Sequence, residues 1–533
     1  MALTLNGIRL PLGADESSLK ALAARALDIP EGAVLRLRAR RVSLDARRKN
    51  DICFEYTLEA SLAPEDEARA LRSGRAEPAV PRAAFEPRMG AQPLPAPVVV
   101  AGLGPAGLFA AYALAKFGYR PIVLERGKQV SERQRDVRGF WAGGALDPES
   151  NVMFGEGGAG AFSDGKLTTR IKDPLCDEVL SVLARFGAPE ETVVQAKPHI
   201  GTDKLCNVVS SIRAQIERLG GEVRFGAKLA GLESRDGALE AARIATFAGE
   251  ERLPLSALLL AVGQNAEDTY RMLHAAGIEL AAKPYAVGVR IEHPRALIDR
   301  SQFGEHAGHP RLGAAEYRFA DRSGGRGVYT FCMCPGGKVI GCANESGRVV
   351  VNGMSEHARA DENSNAAVVV QVDERDFPPG PLGGLSFREK LERAAFEAGG
   401  GDYRAPASTL GAFLAKAEPY GFGSVAPSCL PGVKLANLNA VLPDFVAAGV
   451  RDGVLAFGRK LRGFDMDEAV LTALESRTSA PVRILRDELG EATRMRNLYP
   501  CGEGAGYAGG IVSAAVDGMR AAERVMARFA PLL

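Results

Sequence analysis

No sign of charge dominates this chain of 533 residues: Lys and Arg number 66, Asp and Glu 65, a formal net charge of +1. No whole-molecule field therefore draws it to nucleic acid or anionic lipid, and any such partner needs a local patch. Patterned cysteine is missing too. The eight, at 53, 176, 206, 332, 334, 342, 429 and 501, are scattered, and no Cys or His pair matches zinc-finger spacing, so no metal site is expected. The opening "MALTLNGIRLPLGADE" lacks the basic and apolar regions of a signal peptide, and with the scattered thiols this points to a reducing cytoplasm. Pro97 to Ala115 is uncharged and near membrane-spanning length, but its glycines and Pro105 interrupt it, so no membrane association is expected. There is no internal repeat. The length excludes one core and suggests about three units of roughly 100–200 residues.

What is present begins with a small α+β unit. Residues 16–27 read as helix, Val34 to Leu44 alternates apolar residues with arginines, and Ile52, Phe54, Tyr56 and Leu58 form one face of another strand. Seven prolines from Pro64 to Pro97, mixed with Ala and Arg, mark a linker. From Val98 the pattern becomes strand, glycine turn, helix, strand. Leu205 to Leu219 follows helical spacing up to Gly220 and Gly221, "EVRFGAKLAGLE" resumes as strand, and "LPLSALLLAVG" is a buried strand ending at glycine. From about Pro284 the short Val-rich runs "AVGVRIEH", "GVYTFCMC", "GKVIGCANE", "RVVVNGMS" and "AAVVVQV" indicate a mainly antiparallel insertion, and "LYPCGEGAGYAGGIVSAAVDGMRAAERVM" returns to strand, turn and long helix.

In "VVVAGLGPAG", Gly102 permits a tight turn off the strand, Gly104 lets backbone approach a pyrophosphate, and Gly107 lets helix pack close on sheet. The helix starting near Pro105 and Ala106 points its N–H groups at that anion. Glu125 follows at the end of "PIVLE", placed to accept hydrogen bonds from ribose hydroxyls, with Arg126 beside it. Leu229, Ala261 and Gly263 are further candidate contacts to the cofactor. Spacing identifies a dinucleotide without separating NAD from FAD, which share the adenosine pyrophosphate half.

The far end separates them by resemblance. "NLYPCGEGAGYAGG" and the helix after it resemble the closing motif of FAD enzymes of the glutathione-reductase-like superfamily. By that resemblance Gly502 and Glu503 reach the flavin's ribityl chain, and Gly509, Gly510 and Ile511 aim N–H groups at the ring's N1 and O2. Together with "FGEGGAGAFSDGKLTTR", "FCMCPGG", "VVNGMSEHAR" and "RTSAPVRILRD", these motifs resemble a bacterial group of FAD-dependent dehydrogenases with an extra N-terminal domain. The resemblance implies an α/β fold: a Rossmann-like FAD-binding core split in sequence (97–283 and 476–533), an inserted mainly antiparallel β substrate domain (284–475), a small α+β domain (1–62) and a linker (63–96). It implies an oxidoreductase moving a hydride between an organic substrate and flavin N5. The second G-x-G-x-x-G, at Gly155, Gly157 and Gly160, follows "DPESNVM" and precedes "AFSDG", so neither side of a βαβ unit is present. It is assigned to the same FAD, against a surface turn that needs many glycines, with Gly157, Gly158, Gly160, Ser163, Asp164 and Lys166 as contacts. No other fingerprint is found between Gly160 and Gly502, nor the C-x4-C or C-x2-C pair of a disulfide reductase. NAD(P)H, where it serves as a transient electron donor, is expected to react from the substrate pocket.

Three residues are candidates for the chemistry. His357 is the first choice as general acid or base, against a plain loop histidine. Cys332 and Cys334, two apart on a strand, are expected on one face, as buried thiols, or with Cys334 beside the flavin, or as metal ligands. Arg477, with Thr478, is a candidate for a substrate carboxylate or the flavin's edge, against a structural role. The strand "RLRARRVSLDARRKN" carries a local +6 and makes an RNA-modifying flavoenzyme conceivable, but it lacks interleaved aromatics, so nucleic acid is not the expected partner. A non-catalytic flavin-binding redox sensor is the other alternative.

Overall fold

The parallel sheet at the centre of the nucleotide-binding part explains its apolar runs. The computed structural model describes residues 2–81 and 84–532. Five parallel strands lie in the order Leu498–Pro500, Ala257–Leu260, Val98–Ala101, Ile122–Glu125, Glu222–Phe225. In the strand Val98–Ala101, Val98 and Val100 face a helical layer while Val99 and Ala101 face a three-stranded antiparallel sheet spanning 228–254. Both faces are covered, so the strand reads as continuous Val and Ala instead of an alternation. The helices Pro105–Lys116 and Ile511–Arg528 pack closely, because Gly518 has no room for a Cβ, which would lie 2.0 Å from the Ala106 carbonyl oxygen. The segment Pro97 to Ala115 is thus strand, turn and buried helix. No helix among the described residues is long and apolar enough to cross a membrane.

The insertion carries a seven-stranded sheet ordered Ala320–Ser323, Arg326–Cys334, Asn363–Val372, Tyr285–Pro294, Val470–Glu475, Ala405–Thr409, Val433–Leu435; all neighbours are antiparallel except the last pair. One face, with Val287, Val289, Val368 and Val370, packs on Val446, Val450, Val454 and Phe457 of the helix Asp444–Gly458. The other face carries Tyr329, Val369 and Gly288 in one row and Phe331, Ala367 and Arg290 in the next. It turns toward the nucleotide-binding part, and the hairpin Lys338–Gly341 and Val351–Met354 lies on that side.

The N-terminal sheet has the order Val34–Asp45, Cys53–Leu62, Ala2–Pro11, Glu77–Pro78. Two details depart from expectation. The stretch taken as a linker holds the helix Pro64–Arg72, with Pro64 starting the helix, Glu65, Asp66 and Glu67 in its first turn and Arg69 and Arg72 in its last, charges that suit the helix dipole; residues 82 and 83 of that stretch lie outside the described residues. "EVRFGAKLAGLE" is two strands, parted at Gly226 with φ +60 and belonging to different sheets.

Candidate flavin site

At the first glycine turn, Gly102 has φ +102 and a Cβ there would lie 2.4 Å from the Ala261 carbonyl oxygen. Gly107 meets the Gly102 carbonyl in the same way, at 1.8 Å. Gly104 differs, since a Cβ would meet only the Gly158 Cα, at 3.7 Å. The Glu125 carboxylate is more occupied than its spacing suggested. Its Oε1 accepts from the Gly127 and Gly155 N–H groups at 2.9 and 3.0 Å, and its Oε2 from Leu103 at 2.9 Å. It ties both glycine runs together and leaves a lone pair on Oε2 for a hydroxyl. Arg126, expected as a cofactor contact, has its guanidinium committed to Glu149 and Asp268 and stacked over Phe154, so its side chain closes the loop. Leu229 sits in the core between the two sheets.

The second glycine run lies against the first. Gly157 N–H donates to the Leu103 carbonyl at 2.9 Å, Gly158 with φ +61 sits on Gly104, and a Cβ at Gly160 would touch Ile511 at 3.4 Å and Pro105 at 3.8 Å. Sequence reasoning missed what holds it. Arg133, fully buried, donates to the carbonyls of Asn151, Val152, Gly155 and Glu156 and meets no carboxylate, so burial pushes its pKa down to about 10. Its place among polar helical residues gave no signal. Beyond the loop two further assignments are corrected. Asp164 accepts from Arg359 and Ser355, and Lys166 donates to the Met333 carbonyl and lies 3.7 Å from Glu316; both tie the loop to the insertion. Ser163 spends its hydroxyl on the Gly160 carbonyl and accepts from Gly165 N–H.

At the other end Gly502, φ +77, sits against Ala106, and its N–H donates to Asp517 at 2.7 Å. Gly263, Gly509 and Gly510 have nothing within 4 Å of an added Cβ, and the last two are exposed, so the turn opening the helix Ile511–Arg528 has free space beside it, although Gly509 N–H is taken by Ser513 Oγ at 3.1 Å. Burial pushes the Glu503 carboxyl up to about 7, against a hydrogen bond from Gly510 N–H and the charge of Lys283. Gln264 Nε2 donates to Glu503 Oε1 and to the Arg477 carbonyl, both at 2.9 Å, while Gln264 Oε1 is buried without a partner.

The three chemical candidates do not converge there. Arg477 grips Glu392 through Nε and Nη2 at 2.9 and 2.8 Å and reaches Asn265 and Asn344 through Nη1, so a substrate carboxylate has no place on it. His357 stacks on His199 with ring centroids 5.1 Å apart; its Nδ1 faces the Ile200 carbonyl at 3.0 Å and its Nε2 lies 3.7 Å from Glu191. That is a seam between the parts, and the general acid-base assignment is withdrawn. Cys332 and Cys334 do not share a face either. The ladder slips between Phe331 and Cys334, Cys332 has φ +40, and it is exposed while Cys334 is buried. Burial pushes the Cys334 thiol up to about 11, which removes a thiolate role at neutral pH. In the N-terminal domain Arg38 and Arg40 lie against Glu59 and Arg47 against Asp45.

A family model described as FAD-dependent protein, C-terminal domain-like, matches residues 284–478, and a domain of unknown function matches 3–61. An uncharacterized protein of Clostridium beijerinckii is 44% identical over 546 residues, which cover 99% of each chain. The chain belongs to that protein's family. FAD is its cofactor. Among solved structures, a geranylgeranyl bacteriochlorophyll reductase-like protein of Thermoplasma acidophilum aligns over 82% of this chain and 79% of its own at 11% identity with a TM-score of 0.36. The flavin-dependent brominase Bmp2 aligns over 81% and 79% at 11% identity, also with a TM-score of 0.36. The residues themselves fit FAD. Bare backbone at Gly104 leaves space that a side chain would fill, and the orphaned Gln264 Oε1 beside Glu503, whose carboxyl burial raises, offers an acceptor to a polyhydroxyl chain.

Proposed function

We propose that this FAD-dependent protein is an oxidoreductase exchanging a hydride with a small organic substrate, held between the flavin end of the nucleotide-binding part and the inner face of the seven-stranded sheet. One observation carries the reading: both glycine runs meet at the starts of the helices Pro105–Lys116 and Ile511–Arg528, and the loop leaving them reaches the insertion at Met333. When bound, FAD supplies a ring that takes or gives two electrons as a hydride at N5. The chain's own tasks follow from its geometry. Backbone N–H groups at the first helix start would bind the pyrophosphate. Those at Ile511 would face the ring edge where negative charge gathers on reduction. Glu503 and Gln264 would orient the ribityl hydroxyls. The hairpin Lys338–Gly341 and Val351–Met354, packed with Phe154 and Phe162 in one apolar cluster, shields the loop from water. Purified protein is expected to be yellow and to release FAD, with no FMN, on denaturation. An anaerobic screen of metabolites for flavin bleaching tests the reaction class. A loaded flavin that no organic donor reduces, and that returns no electrons to an organic acceptor, would contradict it.

A further inference from the structure

The strand Arg326–Cys334 presents side chains that the reading above leaves unused. Tyr329 and Phe331 lie on the inner face over Val369, Ala367 and Ala286; those three are fully covered, while the two rings remain half-buried. Cys332 follows at the slip in the ladder, held there by Arg290, which donates to its carbonyl at 3.0 and 3.2 Å. Cys332 keeps accessible surface, yet surrounding protein desolvates its thiol and pushes it up to about 12. Tyr329 combines partial exposure with a phenol raised by burial. These partly accessible side chains lie together on the strand beside the buried Arg290. This patch abuts the flavin loop, because Lys166 bonds the carbonyl of Met333, the next residue after Cys332.

Its charge is balanced. Arg290 pairs with Glu475, Lys166 lies by Glu316, and Arg359 joins Asp164 and Glu316, so these three cations meet three carboxylates, with the exposed Lys197 also acting on Glu316 from outside. A charged ligand would enter desolvated and without a counter-ion, which is strongly unfavourable. Two rings and a neutral thiol offer apolar contact instead.

We propose that Tyr329, Phe331 and Cys332 form the substrate platform and select an uncharged, largely apolar molecule with a flat face. This rests on the oxidoreductase reading. The test titrates flavin-loaded protein with 2-naphthamide and 2-naphthoate, alike in shape and different in charge, following the flavin absorbance. The amide is expected to perturb the spectrum and to bind about tenfold or more tightly than the naphthoate. Phe331→Ala is expected to weaken the amide about tenfold, and Cys332→Lys, by adding an unpaired cation, to shift the preference about tenfold toward the naphthoate. Tyr329→Ala replaces Phe331→Ala should the latter lose its flavin. A loaded protein that ignores the amide, that binds the naphthoate as well or better, or whose affinities are unmoved by the substitutions overturns the platform. A protein that takes up no FAD overturns the oxidoreductase reading instead.

Discussion

A carboxyl in a half-buried place without an ion-pair partner holds its proton, and Glu503 is the case at the flavin end. Its pKa rises from 4.5 to about 7 on folding, so the folded chain binds that proton more tightly than the unfolded one. The stability this contributes is full below the unfolded value and is lost as pH rises through the folded one. From about pH 5 to about pH 8, flavin-free wild type is therefore expected to lose on the order of 1–3 kcal/mol relative to Glu503→Gln, read as diverging melting curves in calorimetry. Parallel curves would show that the carboxyl is solvated. The same scale explains Arg477. Its residue type promised carboxylate binding, and the carboxylate it binds is Glu392, 85 positions away in the chain. No local pattern discloses such a partner.

At the scale of elements, the two glycine runs differ in what their missing side chains make room for. Gly104 keeps space in front of a helix start, so Gly104→Val is expected to leave the fold intact and to abolish FAD binding in a fluorescence titration. Gly155 has φ +122, and a Cβ would lie 2.4 Å from Arg133 Cδ. Gly155→Ala is therefore expected to cost more than about 2 kcal/mol of stability in chemical denaturation, by displacing the buried guanidinium that holds the loop. Gly160→Ala, with only ordinary contacts at 3.4 Å or more, serves as the mild control. Equal stability of the Gly155 and Gly160 variants would mean that Arg133 does not hold the loop. The strand Arg326–Cys334 gives the complementary lesson. Residues two apart share a face only while the ladder is regular, and one slip puts Cys332 and Cys334 in different surroundings.

For the molecule as a whole, electron supply follows from topology. Among the described residues one sheet of parallel strands flanked by glycine turns is present, and its strands come from residues 98–125, 222–260 and 498–500. A second nucleotide would need a second such unit. NADPH is therefore expected to bleach the flavin only from the proposed substrate platform, and 2-naphthamide to slow that bleaching competitively in stopped-flow measurements. An NADPH dissociation constant below about 1 µM that neither the amide nor Phe331→Ala alters would contradict this.

The amino-acid sequence by itself determined the parts governed by local rules. Turn chemistry at Gly102, close packing at Gly107, the helix start at Pro105, continuous apolar strands buried on both faces and the period of the long helices all follow from neighbours within a few residues. A dinucleotide was legible from the spacing after Val98, and FAD from motif resemblance at the far end of the chain. Tertiary structure alone decided which charges meet and which faces are shared. Arg133 among four carbonyls, Arg477 on Glu392, Asp164 on Arg359 and Cys332 held by Arg290 each depend on segments distant in sequence. Long-range pairing is set by packing of whole sheets, and a pair of residue types at a spacing carries no record of it.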